Sequence, residues 1–220
     1  MNLPAQEQCL NYFEEYKVPE NIKRHCLKVQ QAAVFLAKRL EQTGININVE
    51  LVRAASILHD LFKMAGINDP KPNKHHQVTF TREELAMRKT LRKKFPGQHE
   101  TQIAYEIFKE EFPELAQTLL NEGNPLLRKR TIEESVIHYA DYRIFNNQVV
   151  LLEERFAYFK KRYPAPEGFW SSYLDYCKEE ESRIFKSLKI KPEELNAVLN
   201  NNLGHPVPED NFDSVNAKLE

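Results

Sequence analysis

The stretch Leu51-Val52-Arg53-Ala54-Ala55-Ser56-Ile57-Leu58-His59-Asp60-Leu61-Phe62-Lys63 decides how this chain is read. It is an otherwise apolar helical run that carries an imidazole and a carboxylate side by side. Burying a carboxylate in such a setting is costly unless it is paired or bound to a cation. Histidine nitrogen next to aspartate oxygen makes a divalent metal the natural partner. Neighbours on a helix diverge by roughly 100°. One ion shared by His59 and Asp60 therefore sits beside the helix, and its other ligands come from neighbouring helices.

Outward from this stretch, helical periodicity dominates and strand-like alternation is nearly absent. Gln6 to Tyr16 reads as a first helix. Pro19 starts a second, which stops at Gly44 and repeats Ile22, Cys26, Val29, Ala33, Leu36 and Leu40 at helical spacing. Asn48 caps a third, which carries the His-Asp pair and fades near Gly66. Asn68 to Val78 is loop, broken by Pro70 and Pro72. Thr81-Arg82-Glu83-Glu84 and Thr131-Ile132-Glu133-Glu134 are capping boxes, the second opening a helix that ends near Asn146. Helices from Gln98 to Glu111 and from Pro113 to Asn121 lie between them. Leu151 to Tyr163, Glu167 to Leu188 and Pro192 to Asn201 follow. The expectation is an all-α fold in one compact domain over residues 1–203, with a loose tail over 204–220.

The bulk numbers narrow the class. A chain of 220 residues with 41% hydrophobic content buries one good core. Lys+Arg 31 against Asp+Glu 32 leaves a net charge of -1, which gives no global argument for nucleic acid or an anionic membrane. Cys9, Cys26 and Cys177 form no CxxC pair and read as inert packing residues in a reducing compartment. With no membrane-length apolar run and no export pattern at the amino terminus, the expected location is cytoplasmic.

Four residues stand out when the helices are laid side by side: His25 in the second helix, His59 and Asp60 in the third, and Asp141 in Ile137-His138-Tyr139-Ala140-Asp141-Tyr142-Arg143. Each is polar among apolar neighbours. The order H…HD…D in these contexts resembles the HD-domain superfamily of metal-dependent phosphohydrolases. Arg24-His25-Cys26-Leu27-Lys28-Val29 is similar to the first histidine helix of that family. Ala55 to Lys63 is similar to its AALLHDIGK-type segment, and Thr131 to Arg143 to its T-x-E-E…ADxR segment. Gly97-Gln98-His99-Glu100 resembles the further histidine of two-metal members. The matches span roughly residues 20–146, leaving the helices over 151–203 without any. One position departs from the pattern: Glu122 stands where two-metal members usually carry a histidine.

The resemblance implies a divalent ion (Mn, Mg, Fe, Ni, Co or Zn) held by His25, His59, Asp60 and Asp141. A second site at His99, with Glu122 as a hard carboxylate ligand, is weaker. It assigns phosphate contact to Lys63, three residues after Asp60, with Arg143 as a helper. The implied function is hydrolysis of a phosphomonoester or phosphodiester, most plausibly of a nucleotide. Two other readings stay open, a non-catalytic nucleotide-binding regulatory module and a di-iron oxygenase of HD type. The basic insert between the His-Asp pair and His99 (Lys71, Lys74, Arg82, Arg88, Lys89, Arg92, Lys93, Lys94) reads either as a positive rim for phosphate-bearing substrates or as a solvated helix face. His138, at i-3 from Asp141, reads as packing or as support for the ligands. The aromatic residues from Phe156 to Tyr176 read as core.

Overall fold

The computed structural model describes residues 2–67, 79–125 and 127–201. Its helices are α1 (Gln6–Glu15), α2 (Glu20–Gln42), α3 (Val49–Leu58), α4 (Lys63–Gly66), α5 (Arg82–Lys94), α6 (Glu100–Phe108), α7 (Pro113–Glu122), α8 (Ile132–Tyr142), α9 (Leu152–Arg162), α10 (Phe169–Phe185) and α11 (Leu195–Asn201). A short 3₁₀ turn, Pro192–Glu194, leads into α11. The architecture is all-α apart from one small hairpin, as the periodicity requires.

Helix α2 is the spine. Its buried Cys26, Val29, Ala33, Leu36 and Leu40 form a stripe at i, i+3 and i+4 spacing. Ala32, Ala33 and Ala37 on α2, with Ala54 and Ala55 on α3, are small and fully or almost fully buried, so the two backbones approach closely. Helix α2 packs most extensively on α3 and then on α8, while α3 and α8 also touch each other. The helices that carry His25 and Asp141, and the helix whose end leads into the His-Asp pair, thus form one mutually packed trio. Helices α6 and α7 form a hairpin whose second arm leans on α3 and α8, and α10 packs on α8 and α9.

Local chemistry sets the boundaries. Gly44, at φ 88, closes α2 in a Schellman motif: its N–H donates to Glu41 O at 2.9 Å, and that of Ile45 to Leu40 O at 3.2 Å. Asn48 caps α3 by accepting from the Leu51 amide at 3.1 Å. Both capping boxes form, with Thr81 and Glu84 on α5 and Thr131 and Glu134 on α8.

Two expectations are corrected. Helix α3 does not run through to Gly66. It ends at Leu58, and the chain then winds in i→i+3 steps, Leu61 N–H to Leu58 O at 3.1 Å and Lys63 N–H to Asp60 O at 3.0 Å, before α4. Helix α8 stops at Tyr142, not near Asn146. There Ile144–Phe145 pairs antiparallel with Gln148–Val149 across Asn146 and Asn147, at φ 49 and φ 60. Two consecutive left-handed residues make the turn that suits a two-residue hairpin, and asparagine tolerates that conformation better than most residues. The loop over Asn68–Val78 and the tail over 204–220, with Lys71, Lys74, His75, His76 and His205, lie outside the described residues.

Candidate metal centre

The trio of helices delivers its polar residues to one point. His25 Nε2 lies 2.8 Å from Asp141 Oδ1 and 3.3 Å from His59 Nε2. Asp60 Oδ2 stands 3.9 Å from His25 Nε2 and 3.8 Å from His59 Nε2, and Asp141 Oδ1 is 3.6 Å from His59 Nε2. Ligands at about 2.1 Å from a common ion lie roughly 3.0–3.4 Å apart in octahedral or tetrahedral arrangements. The separations among His25, His59 and Asp60 lie within or just above that spacing, so these residues fit a divalent ion; Asp141 meets both histidines but stands outside that group. His25, His59 and Asp60 each offer a ligand atom within 4.8 Å of the others'.

The sequence folds this way for identifiable reasons. Ser56 is buried, and its carbonyl lies 2.9 Å from His59 Nδ1. The Nδ1–H therefore donates to the backbone and leaves the Nε2 lone pair facing the cluster. Sequence reasoning missed this role of Ser56, because a backbone carbonyl leaves no residue-type signal. The tight winding after Leu58 turns Asp60 and Lys63 the same way, since residues i and i+3 eclipse in a 3₁₀ turn. Lys63 Nζ accordingly donates to Asp60 Oδ1 at 3.2 Å.

The electrostatics follow from crowding. Burial pushes the Asp141 carboxyl up, but hydrogen bonds and charge from His25 and His59 outweigh it and hold it well below the carboxylate range. Burial acts on Asp60 in the same sense, and Lys63 with the two histidines reverses it. Burial disfavours a proton on His59, yet the Cys26 sulphur, the Asp60 charge and the Asp141 carboxylate raise it well above the ordinary imidazole value. Asp60, and with it Glu100, keeps Lys63 firmly protonated. Such a cluster holds a positive charge at its centre, a proton in the absence of an ion.

The remaining candidates separate. Glu122 ends α7 half-buried, and burial together with the negative field of Asp141 pushes its carboxyl up. It stands within electrostatic reach of the centre. His99 caps α6: the Thr101 amide and hydroxyl both point at its Nδ1, at 3.4 Å and 2.9 Å. With Nδ1 accepting, Nε2 carries the proton and faces Glu100 Oε2 at 3.5 Å. Among the described residues, neither His99 nor Glu122 belongs to a group of three ligand atoms gathered like the first.

Arg143 is a correction. It is 1% exposed, and its guanidinium donates to Val150 O, the Tyr139 hydroxyl, Glu181 Oε2 at 3.0 Å and Pro192 O at 2.9 Å. It ties α8 to α10 and the 3₁₀ turn, and its burial keeps the guanidinium away from a substrate. The basic helix α5 is corrected in part. Arg88 and Arg92 both donate to Ile67 O, at 3.1 Å and 3.2 Å, fastening α5 to the end of α4.

His138, Cys177 and Glu180 form a second, fully buried group with ligand atoms within 4.8 Å. It is satisfied without an ion. His138 Nδ1 meets Glu180 Oε2 at 2.5 Å, Nε2 meets the Tyr173 hydroxyl at 2.7 Å, and the Tyr176 hydroxyl donates to Glu180 Oε1 at 3.0 Å. Burial pushes the Cys177 thiol up, away from the thiolate that a metal needs. His138 is a support for α10, and all three cysteines are free and buried.

Comparison with known proteins bears directly on the centre. The HD domain family model matches residues 22–144, which include all four converging residues. The chain belongs to the HD domain family. The uncharacterized protein MJ0778 of Methanocaldococcus jannaschii is 30% identical over 145 residues, covering 65% of this chain and 78% of the relative. No solved structure matches the chain. The family places this HD protein among the metal-dependent phosphohydrolases, and the helices beyond residue 144 stand outside the match. No helix among the described residues is long and apolar enough to cross a membrane.

Proposed function

We propose that this HD protein hydrolyses a phosphate ester of a small molecule, most plausibly a nucleotide, with a divalent ion held by His25, His59, Asp60 and Asp141. The observation that carries the reading is that two imidazole nitrogens meet the Asp60 and Asp141 carboxylates at 2.8–3.9 Å. A bound divalent ion supplies Lewis acidity, acidifying water and drawing charge from phosphate oxygens.

The chain's own residues supply the rest. Ser56 O fixes the His59 ring, and His25 orients the Asp141 carboxylate. Lys63, with about half of its side chain exposed at the mouth of the centre, receives a phosphate oxygen as a point charge. An open cleft of about 570 Å³ starts at Lys63 and runs past Gly66, Arg92, Phe95 and His99. Its size and its mix of cations with one aromatic ring suit an organic phosphate better than inorganic phosphate.

The test is turnover of an aryl phosphate and a nucleotide panel with added Mn, Mg, Co or Ni. Expected is hydrolysis that vanishes in a folded Asp60→Ala variant. No turnover across the panel, with metal still bound, overturns hydrolysis and leaves a regulatory module.

A further inference from the structure

Asp60 is divided between two partners. Its Oδ2 faces the two histidines, while its Oδ1 receives Lys63 Nζ at 3.2 Å. Lys63 is held from its other side by Glu100, whose Oε1 lies 3.4 Å away. Glu100 is 9% exposed, at the first position of α6 and on the same face as the buried Ile103 and Ala104. Its carboxylate lies against Gly66 so closely that a Cβ there would overlap Oε2. The glycine at the end of α4 and the carboxylate at the start of α6 are therefore built for one another. Their contact brings an acid beside the ammonium.

This is the layout of a carboxylate bridging two cations, with an ammonium as the second. We propose that Lys63 Nζ is the resident second cation of the centre, seated between Asp60 and Glu100, and that the protein accordingly takes one divalent ion per chain. Glu100 is a positioning residue: it places the lysine where a phosphate oxygen meets both cations. The charges agree. Asp60 and Glu100 both face the ammonium, at 3.2 Å and 3.4 Å, so a second divalent ion in that gap would meet its charge directly.

The inference rests on the metal-centre reading above, and the experiment separates the two. Metal-free full-length protein is titrated with Mn²⁺, and stoichiometry is read by calorimetry and by elemental analysis after desalting. Paramagnetic resonance reports spin coupling between paired ions. Expected is one ion per chain in the natural protein and in Lys63→Arg. Lys63→Ala opens the Asp60–Glu100 gap, takes a second ion at millimolar Mn²⁺ and shows coupling; Lys63→Ala with Glu100→Ala returns to one. Two ions in the natural protein, or a Lys63→Ala variant that never exceeds one, overturns the inference and leaves the metal centre standing. No bound ion at all overturns both.

Discussion

Arg143→Met separates the reading that sequence favours for this residue from the one the fold imposes. The substitution keeps length and apolar bulk but deletes a guanidinium that is 1% exposed and holds two backbone carbonyls, the Tyr139 hydroxyl and the Glu181 carboxylate. Hydrogen bonds to a charged group contribute about 1.5–3 kcal/mol each. The four do not add, because Glu181 is partly exposed and regains water. Val150 O and Pro192 O, by contrast, are left to find new donors. Breaking a buried ionic network of this kind costs about 3–5 kcal/mol. A domain stable by about 5–15 kcal/mol remains folded but much weakened. Urea unfolding followed by the fluorescence of Trp170, the single tryptophan and a residue of α10, reports the loss. With a slope of about 2–3 kcal/mol/M, the midpoint falls by about 1–2 M. Below the transition, the KM for a phosphate ester stays within about twofold of the natural protein. A stability loss under about 1 kcal/mol together with a tenfold rise in KM would refute the argument and return Arg143 to the substrate.

Other outcomes follow from the same contacts. Asp141→Ala removes the carboxylate closest to His25, so metal affinity falls by at least about a hundredfold and turnover falls with it; titration of the metal-free variant and steady-state kinetics check this. Without an ion, His59 is raised above its ordinary value, so its contribution to stability is present below about pH 6.5 and is lost as pH rises through the folded value. An ion must displace that proton, so metal affinity moves the opposite way and rises with pH; the gap in Tm between loaded and metal-free protein widens from pH 6 to pH 8, and calorimetry in two buffers shows proton release. Gly66→Ala displaces the flexible end of the Glu100 side chain from the end of α4, so KM rises while Tm changes little and the one-ion stoichiometry at the histidine side persists. Asn147→Gly relieves a left-handed residue at φ 60 and stabilises by about 0.5–1 kcal/mol in thermal unfolding; destabilisation there would contradict the turn assignment.

Much of this molecule is written locally. The caps at Asn48, Thr81 and Thr131, the stop at Gly44 and the apolar stripe of α2 are determined by side chains within a few residues of one another. They fix an all-α fold, and family membership follows from the spacing of His25, His59, Asp60 and Asp141. Several features needed the tertiary structure, because their partners are distant in sequence. Arg143 sits two residues from Asp141, yet acceptors for it come from α10 and from the carbonyls of Val150 and Pro192, so folding turns it into a strut. Glu100 has no motif, and its meaning comes from Gly66 and Lys63, which α4 brings alongside α6. Helix periodicity decides which face is buried. Which charge meets which across a packed interface depends on where the chain returns, and no local pattern encodes that.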